Sequence, residues 1–95
     1  MASPAKLRVP EDVASLIRHC HPVLKRRIKE ALKTILSDPE SGKALTEELE
    51  GLRSFRVGRI RIIYQVESRS RIDIVTIGPR KSVYEETYRI VSRES

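Results

Sequence analysis

Arg56, Arg61, Arg80, Lys81 and Tyr84 bring four cationic groups and one phenol together in the second half of the chain. Guanidinium and ammonium groups hold phosphates, and arginine does so through two parallel hydrogen bonds. A tyrosine beside them could stack on a base, handle a proton, or simply pack. Arg56 and Arg61 flank Gly58-Arg59, a pair that suits a two-residue type II′ hairpin turn with glycine first. A loop that short sets the register: Val57 faces Ile60, Arg56 faces Arg61, and Phe55 faces Ile62. The apolar set then shares one face and the two arginines meet on the other. Like charges in that position cost about 0.2–1 kcal/mol. A negative ligand between them is the cheapest explanation. Neutralisation by Asp73 or a helix carboxylate is the structural alternative. Glu67 cannot serve, because six residues along a strand is about 20 Å.

The wider charge pattern agrees. The chain has 95 residues and a net charge of +6. From Arg53 to Lys81 stand eight cations (Arg53, Arg56, Arg59, Arg61, Arg69, Arg71, Arg80 and Lys81) and two anions, Glu67 and Asp73. The rest of the chain is balanced, so the whole excess sits in 29 residues. Such a field suits a polyanion or an acidic protein, or is a solvated basic surface.

Other constellations are weaker. His19-Cys20-His21 places three metal-capable side chains in a row, and consecutive ligands rarely converge on one ion. The stretch reads as an interhelical loop, and no metal is expected. Glu47, Glu48 and Glu50 read as a solvated face. The four glycines are scattered, so no phosphate-cradling loop is present. The one cysteine excludes an internal disulfide and fits a reducing compartment. No apolar run is long enough for a membrane span, and MASPAKLRVP lacks a signal-peptide core. The cytoplasm is the expected location.

These residues must be positioned by a small set of elements in one domain, residues 1–95. Residues 6–9 alternate weakly and read as a short strand. Residues 11–18 read as a helix, with Glu11 and Asp12 suiting its positive end. Leu24, Ile28, Ala31, Leu32, Ile35 and Leu36 form one face of a helix that Pro22 can open and Pro39 closes. Residues 40–51 read as a polar connector anchored by Leu45 and Leu49. Three strands follow, ending in RIDIVTI, and Ser82-x-x-Glu85 predicts a last helix beginning near Val83. The order β-α-α-β-β-β-α implies an α+β domain: a small antiparallel sheet, an N-terminal helical hairpin and a C-terminal helix.

P-x-x-G-K-x-L from Pro39, L-x-S-x-R-V-G-R-x-R-I-I-Y from Leu52 and I-G-P-R-K-S-V-Y from Ile77 together resemble the RelE/ParE toxin superfamily of type II toxin–antitoxin systems. The match runs from about Leu24 to Val91. The resemblance implies the same fold. In the RelE branch it implies a ribosome-dependent endonuclease that cuts mRNA in the A site without a metal or other cofactor, through attack of the RNA's own 2′-hydroxyl. Carried over by position, Arg61 would hold the scissile phosphate and Arg80 would assist the leaving group or phosphate. Tyr84 would stack on a base or accept a proton. Arg56, Arg53, Arg59 and Lys81 would bind the RNA. Ser54 stands where some relatives have a lysine, and Pro79 where many have a histidine. Proton transfer would therefore rest on Tyr84 or Lys81.

The ParE branch implies a different activity, inhibition of DNA gyrase by binding. A catalytically weak RNA-binding remnant is a third reading. Both branches imply a cognate acidic antitoxin that folds on the basic surface, commonly within a heterotetramer.

Overall fold

A computed structural model describes residues 6–94, with side chains through Arg93. The ends of the 1–95 domain, and the reading of the first residues as free of a signal-peptide core, lie outside them. The elements are β1 (Lys6–Arg8), α1 (Glu11–His19), α2 (Pro22–Ser37), β2 (Lys43–Ala44), a 3-10 turn (Glu47–Leu49), β3 (Leu52–Val57), β4 (Ile60–Ser68), β5 (Arg71–Pro79) and α3 (Arg80–Glu94). The sheet order is β1-β5-β4-β3-β2. The α+β class is as expected, with one addition. β1 pairs parallel with β5, so the sheet is mixed rather than wholly antiparallel.

The helical hairpin forms where its periodicity placed it. Ile28, Ala31 and Ile35 of α2 are buried, and Leu24, Leu32 and Leu36 pack beside them. They meet Val57, Ile62, Tyr64, Ile72, Ile74 and Ile77 from the sheet. Pro22 opens α2, where a missing amide hydrogen costs nothing. His21 caps it: its Nδ1 accepts from the Val23 amide at 3.2 Å. His19 Nδ1 donates to the Ser15 carbonyl at 2.8 Å. Both imidazoles therefore belong to the helix ends they flank.

The opposite face of the sheet is covered too, which the single apolar stripe did not announce. There α3 packs Val83 and Val91 on Leu52 and Ile63, with Leu45, Leu49, Val75 and Tyr84 around them. A β-bulge makes this possible. Ile63 pairs with Thr76 but Tyr64 pairs with Ile74, so Val75 is the extra residue. The bulge reverses the phase of β5. Ile72, Ile74 and Ile77 all face the helical hairpin, while Thr76 and Gly78 turn towards α3. No described helix is long and apolar enough to cross a membrane.

Two further expectations are corrected. α3 starts at Arg80, not near Val83, and Ser82 lies inside its first turn as an exposed residue. The reason is that β5 stays paired to its last residue, Pro79 opposite Ile60. The Arg80 amide then donates to the Arg59 carbonyl at 3.3 Å, which ties the start of the helix to the hairpin turn. The polar connector is not featureless either. Lys43 and Ala44 pair with Ser54 and Arg53 as a two-residue edge strand.

Candidate functional site: a basic row beside Tyr84

The β3–β4 hairpin has the register its turn demands. Val57 pairs with Ile60, Arg56 with Arg61, and Phe55 with Ile62. Gly58 has φ +60°, a value that favours glycine and that the first position of a type II′ turn requires. Arg61 pairs with Gly78 on its other side. One row across the sheet is therefore Arg56, Arg61, Gly78, on the face that α3 covers further along.

The chain leaves β5 one residue after Gly78 and enters α3 directly. Arg80 and Tyr84 are four apart in that helix, so their side chains rise from the same flank. Tyr84 is half-buried, and its hydroxyl lies 3.2 Å from the Ser54 hydroxyl. Ser54 is buried and is the neighbour of Arg56 on this face, two residues back along β3. Tyr84 is thus anchored to the strand that carries Arg56, and Arg80 is tied through its amide to the hairpin turn. Tyr84 sits in the second turn of α3, not the first as the expected helix start would have it. Tyr88, one turn on, is exposed and lines a shallow groove with Tyr84 and Leu49.

The electrostatics favour an anion. The described residues form three ion pairs: Arg18–Glu11, Arg71–Asp73 and Arg89–Glu86. Arg56, Arg59, Arg61, Arg80 and Lys81 have none among the described residues. Asp73 pairs with Gln65, four residues or about 13 Å along β4 from Arg61, and is held by Arg71 at 3.1 Å, so it does not offset the arginine row. Arg56 donates through Nε to the Gly58 carbonyl at 3.2 Å, which braces the side chain beside the turn. What the arrangement can do is grip a phosphate between two or three guanidinium groups, next to a phenol of set position.

Not every nominated residue joins. Arg53 pairs with Tyr64 and lies on the helical-hairpin side. Its Nη1 donates to the carbonyls of Gly42 at 2.7 Å and Glu40 at 3.3 Å. It holds the 39–42 loop and stands apart from the arginine row. Arg59 and Lys81 are exposed at the hairpin tip and in the first turn of α3. Arg27 of α2 was missed by sequence reasoning. Its guanidinium lies against Gly58, and nothing in the helical periodicity signals that neighbour.

The Ser54–Tyr84 contact is testable. Ser54→Ala and Tyr84→Phe should each cost about 0.5–1.5 kcal/mol, and the double mutant no more than either alone. Denaturant unfolding of the four proteins measures the coupling; additive losses would remove the bond from the site.

The fold is that of known RelE toxins. Against a RelE double mutant of E. coli in the free state the TM-score is 0.73 at 16% identity, covering 97% of this chain and 98% of that one. A RelBE toxin–antitoxin complex from Mycobacterium tuberculosis gives a TM-score of 0.70 at 23% identity, covering 82% of this chain and all of that one. The archaeal RelE–RelB complex from Pyrococcus horikoshii gives 0.63 at 20% identity, covering 82% and 97%. No curated protein sequence matches significantly. The family model for the ParE toxin of type II toxin–antitoxin systems matches residues 7–84. The chain belongs to that family and is a type II toxin of the RelE/ParE fold.

Proposed function

We propose that this toxin cuts mRNA in the ribosomal A site. The observation that carries the reading is the Arg56/Arg61 row, without a carboxylate partner among the described residues and adjoined by Arg80 and Tyr84. A fold needing only a stable hairpin gains nothing from facing arginines. In the proposed reaction the 2′-hydroxyl of one nucleotide attacks the adjacent phosphorus, and the bond to the 5′-oxygen breaks. A 2′,3′-cyclic phosphate and a free 5′-hydroxyl result. Arg61, with Arg56, stabilises the added charge on the phosphoryl oxygens. Arg80 supports the same phosphate or the departing oxygen. Tyr84, anchored by Ser54, stacks on a base or relays the proton. A guanidinium does not release its proton at cellular pH, so Arg56 serves as a charge and not as a base.

A cognate antitoxin is part of the reading. The solved RelB–RelE complexes support an antitoxin partner, and the concentrated basic charge suits a small acidic one; a heterotetramer is the assembly this reading takes. Cytoplasmic location follows from the target.

The second reading is gyrase inhibition, favoured by the family model's description as a ParE toxin. Inducible expression with mapping of mRNA 5′ ends decides. Codon-phased cuts, with supercoiling intact, are expected. Growth arrest with intact mRNA and inhibited supercoiling would replace this reading with the second. Salt-sensitive RNA binding without cuts would reduce the chain to a binding module.

A further inference from the structure

Arg27 lies on α2, on the helical-hairpin side of the sheet, and it is exposed. A Cβ placed on Gly58 would stand 3.4 Å from Arg27 Nη2 and 3.5 Å from Nη1. Arg56 reaches the same glycine from the α3 side, donating through Nε to its carbonyl at 3.2 Å. Two guanidinium groups from opposite faces of the sheet thus converge on one residue. Arg59 is next in the chain, and the Arg80 amide closes on its carbonyl. Among the described residues no carboxylate lies within ion-pairing distance of Arg27, Arg56, Arg59 or Arg80.

Gathered like charges are unfavourable unless a counter-charge sits among them. Turn geometry does not demand Arg27: the φ of Gly58 accounts for the glycine, and α2 is already seated by Ile28, Ala31 and Ile35. A chain of phosphates is the counter-charge that fits. It supplies one anion per nucleotide and can pass from the Arg56/Arg61 row over the hairpin tip to the far face. A guanidinium takes each phosphate through two donors.

We propose that the tip of the β3–β4 hairpin carries a second phosphate subsite, formed by Arg27 and Arg59 on the side away from α3. It holds an RNA backbone phosphate flanking the one at Arg61. The inference rests on the RNA reading of the same site and adds the path of the strand around the tip.

The test is binding of the full-length toxin to ribosomes programmed with an mRNA carrying 2′-deoxynucleotides at the A-site codon, titrated with salt. Arg27→Ala should weaken binding roughly tenfold and make the slope of log affinity against log salt shallower by about 1. Arg27→Glu should weaken it further. Arg27→Lys should restore most of the slope, since the charge is kept. Thermal melting confirms that each variant is folded. An unchanged slope in Arg27→Ala, with wild-type toxin binding and cutting cleavable mRNA, overturns the subsite and leaves the nuclease reading standing. A reduced slope with no cutting by wild type keeps the subsite and removes the nuclease. Loss of gyrase inhibition in Arg27→Ala, with no RNA binding by wild type, makes the counter-charge an acidic protein surface and overturns the proposal.

Discussion

Arg61→Ala should cut mRNA cleavage by about 10²–10³-fold while leaving the domain folded. Arg61 faces Arg56 across the hairpin and has no ion pair among the described residues. Removing it relieves a like-charge contact worth about 0.2–1 kcal/mol. Some of that gain is lost with the aliphatic stem, because Arg61 is only half exposed. Unfolding free energy should therefore stay within about 1 kcal/mol of wild type. Arg61→Lys keeps the charge but loses the two-donor fork, and should recover only part of the activity. The measurements are toxicity on induction, mRNA end mapping, and denaturant unfolding. Cleavage at the wild-type rate in a folded Arg61→Ala protein would take the arginine row out of the reaction.

Tyr64→Phe should have the reverse signature, a large loss of stability with no direct effect on the basic row. Tyr64 is fully buried. Its hydroxyl donates to the Pro39 carbonyl at 2.7 Å and accepts the Gly42 amide at 2.9 Å. Deleting one oxygen leaves a buried donor and a part-buried acceptor unpaired, at about 1–3 kcal/mol. For a domain of this size that lowers Tm by roughly 4–8 °C per kcal/mol. Gly42→Ala attacks the same network from the other side. A Cβ there would stand 2.5 Å from the Tyr64 hydroxyl and 2.8 Å from Cε1, against a ring with no room to retreat. Overpacking of that kind costs about 1–3 kcal/mol. A Tm within two degrees of wild type for both variants would show that the loop is held by other contacts. Any fall in toxicity should track the folded fraction.

The residues that carry the family resemblance fall into two groups. Pro39, Gly42 and Tyr64 are one buried hydrogen-bond network, braced by Arg53 through the Gly42 carbonyl. They hold the loop that leads into the edge strand. Arg56, Arg61, Arg80 and Tyr84 occupy the other face. Spacing alone does not separate the two groups, since both recur within the same few motifs.

Much of the fold was legible because it rests on local rules. The α2 face follows from a repeat of apolar residues at helical spacing, and one buried side is the result. The hairpin register follows from Gly58, because a two-residue turn with φ > 0 at its first position leaves no freedom in the pairing. The facing arginines follow from that register, so the centre of the candidate site was readable from a dozen residues. The charge excess between Arg53 and Lys81 needed only counting.

The rest depended on contacts between distant segments. Strict alternation along RIDIVTI would put Gly78 on the same face as Ile72 and Ile74. The bulge at Val75 reverses this, and it exists because Ile77 and Ile74 both find places against the helical hairpin. That reversal sets Gly78 beside Arg61 and sends α3 over the arginine side of the sheet. The helix then starts at Arg80, not at the Ser82 cap, because β5 stays paired through Pro79 opposite Ile60 and the Arg59 carbonyl takes the Arg80 amide. Arg53 turns inward for the loop carbonyls, and Arg27 reaches Gly58 from another helix. The elements, the hairpin and its like-charged pair could be read from the chain alone, since each depends on neighbours within a few residues. Which face α3 covers, where Tyr84 is anchored and which arginines surround the hairpin tip could not, because those depend on packing between segments far apart in the chain.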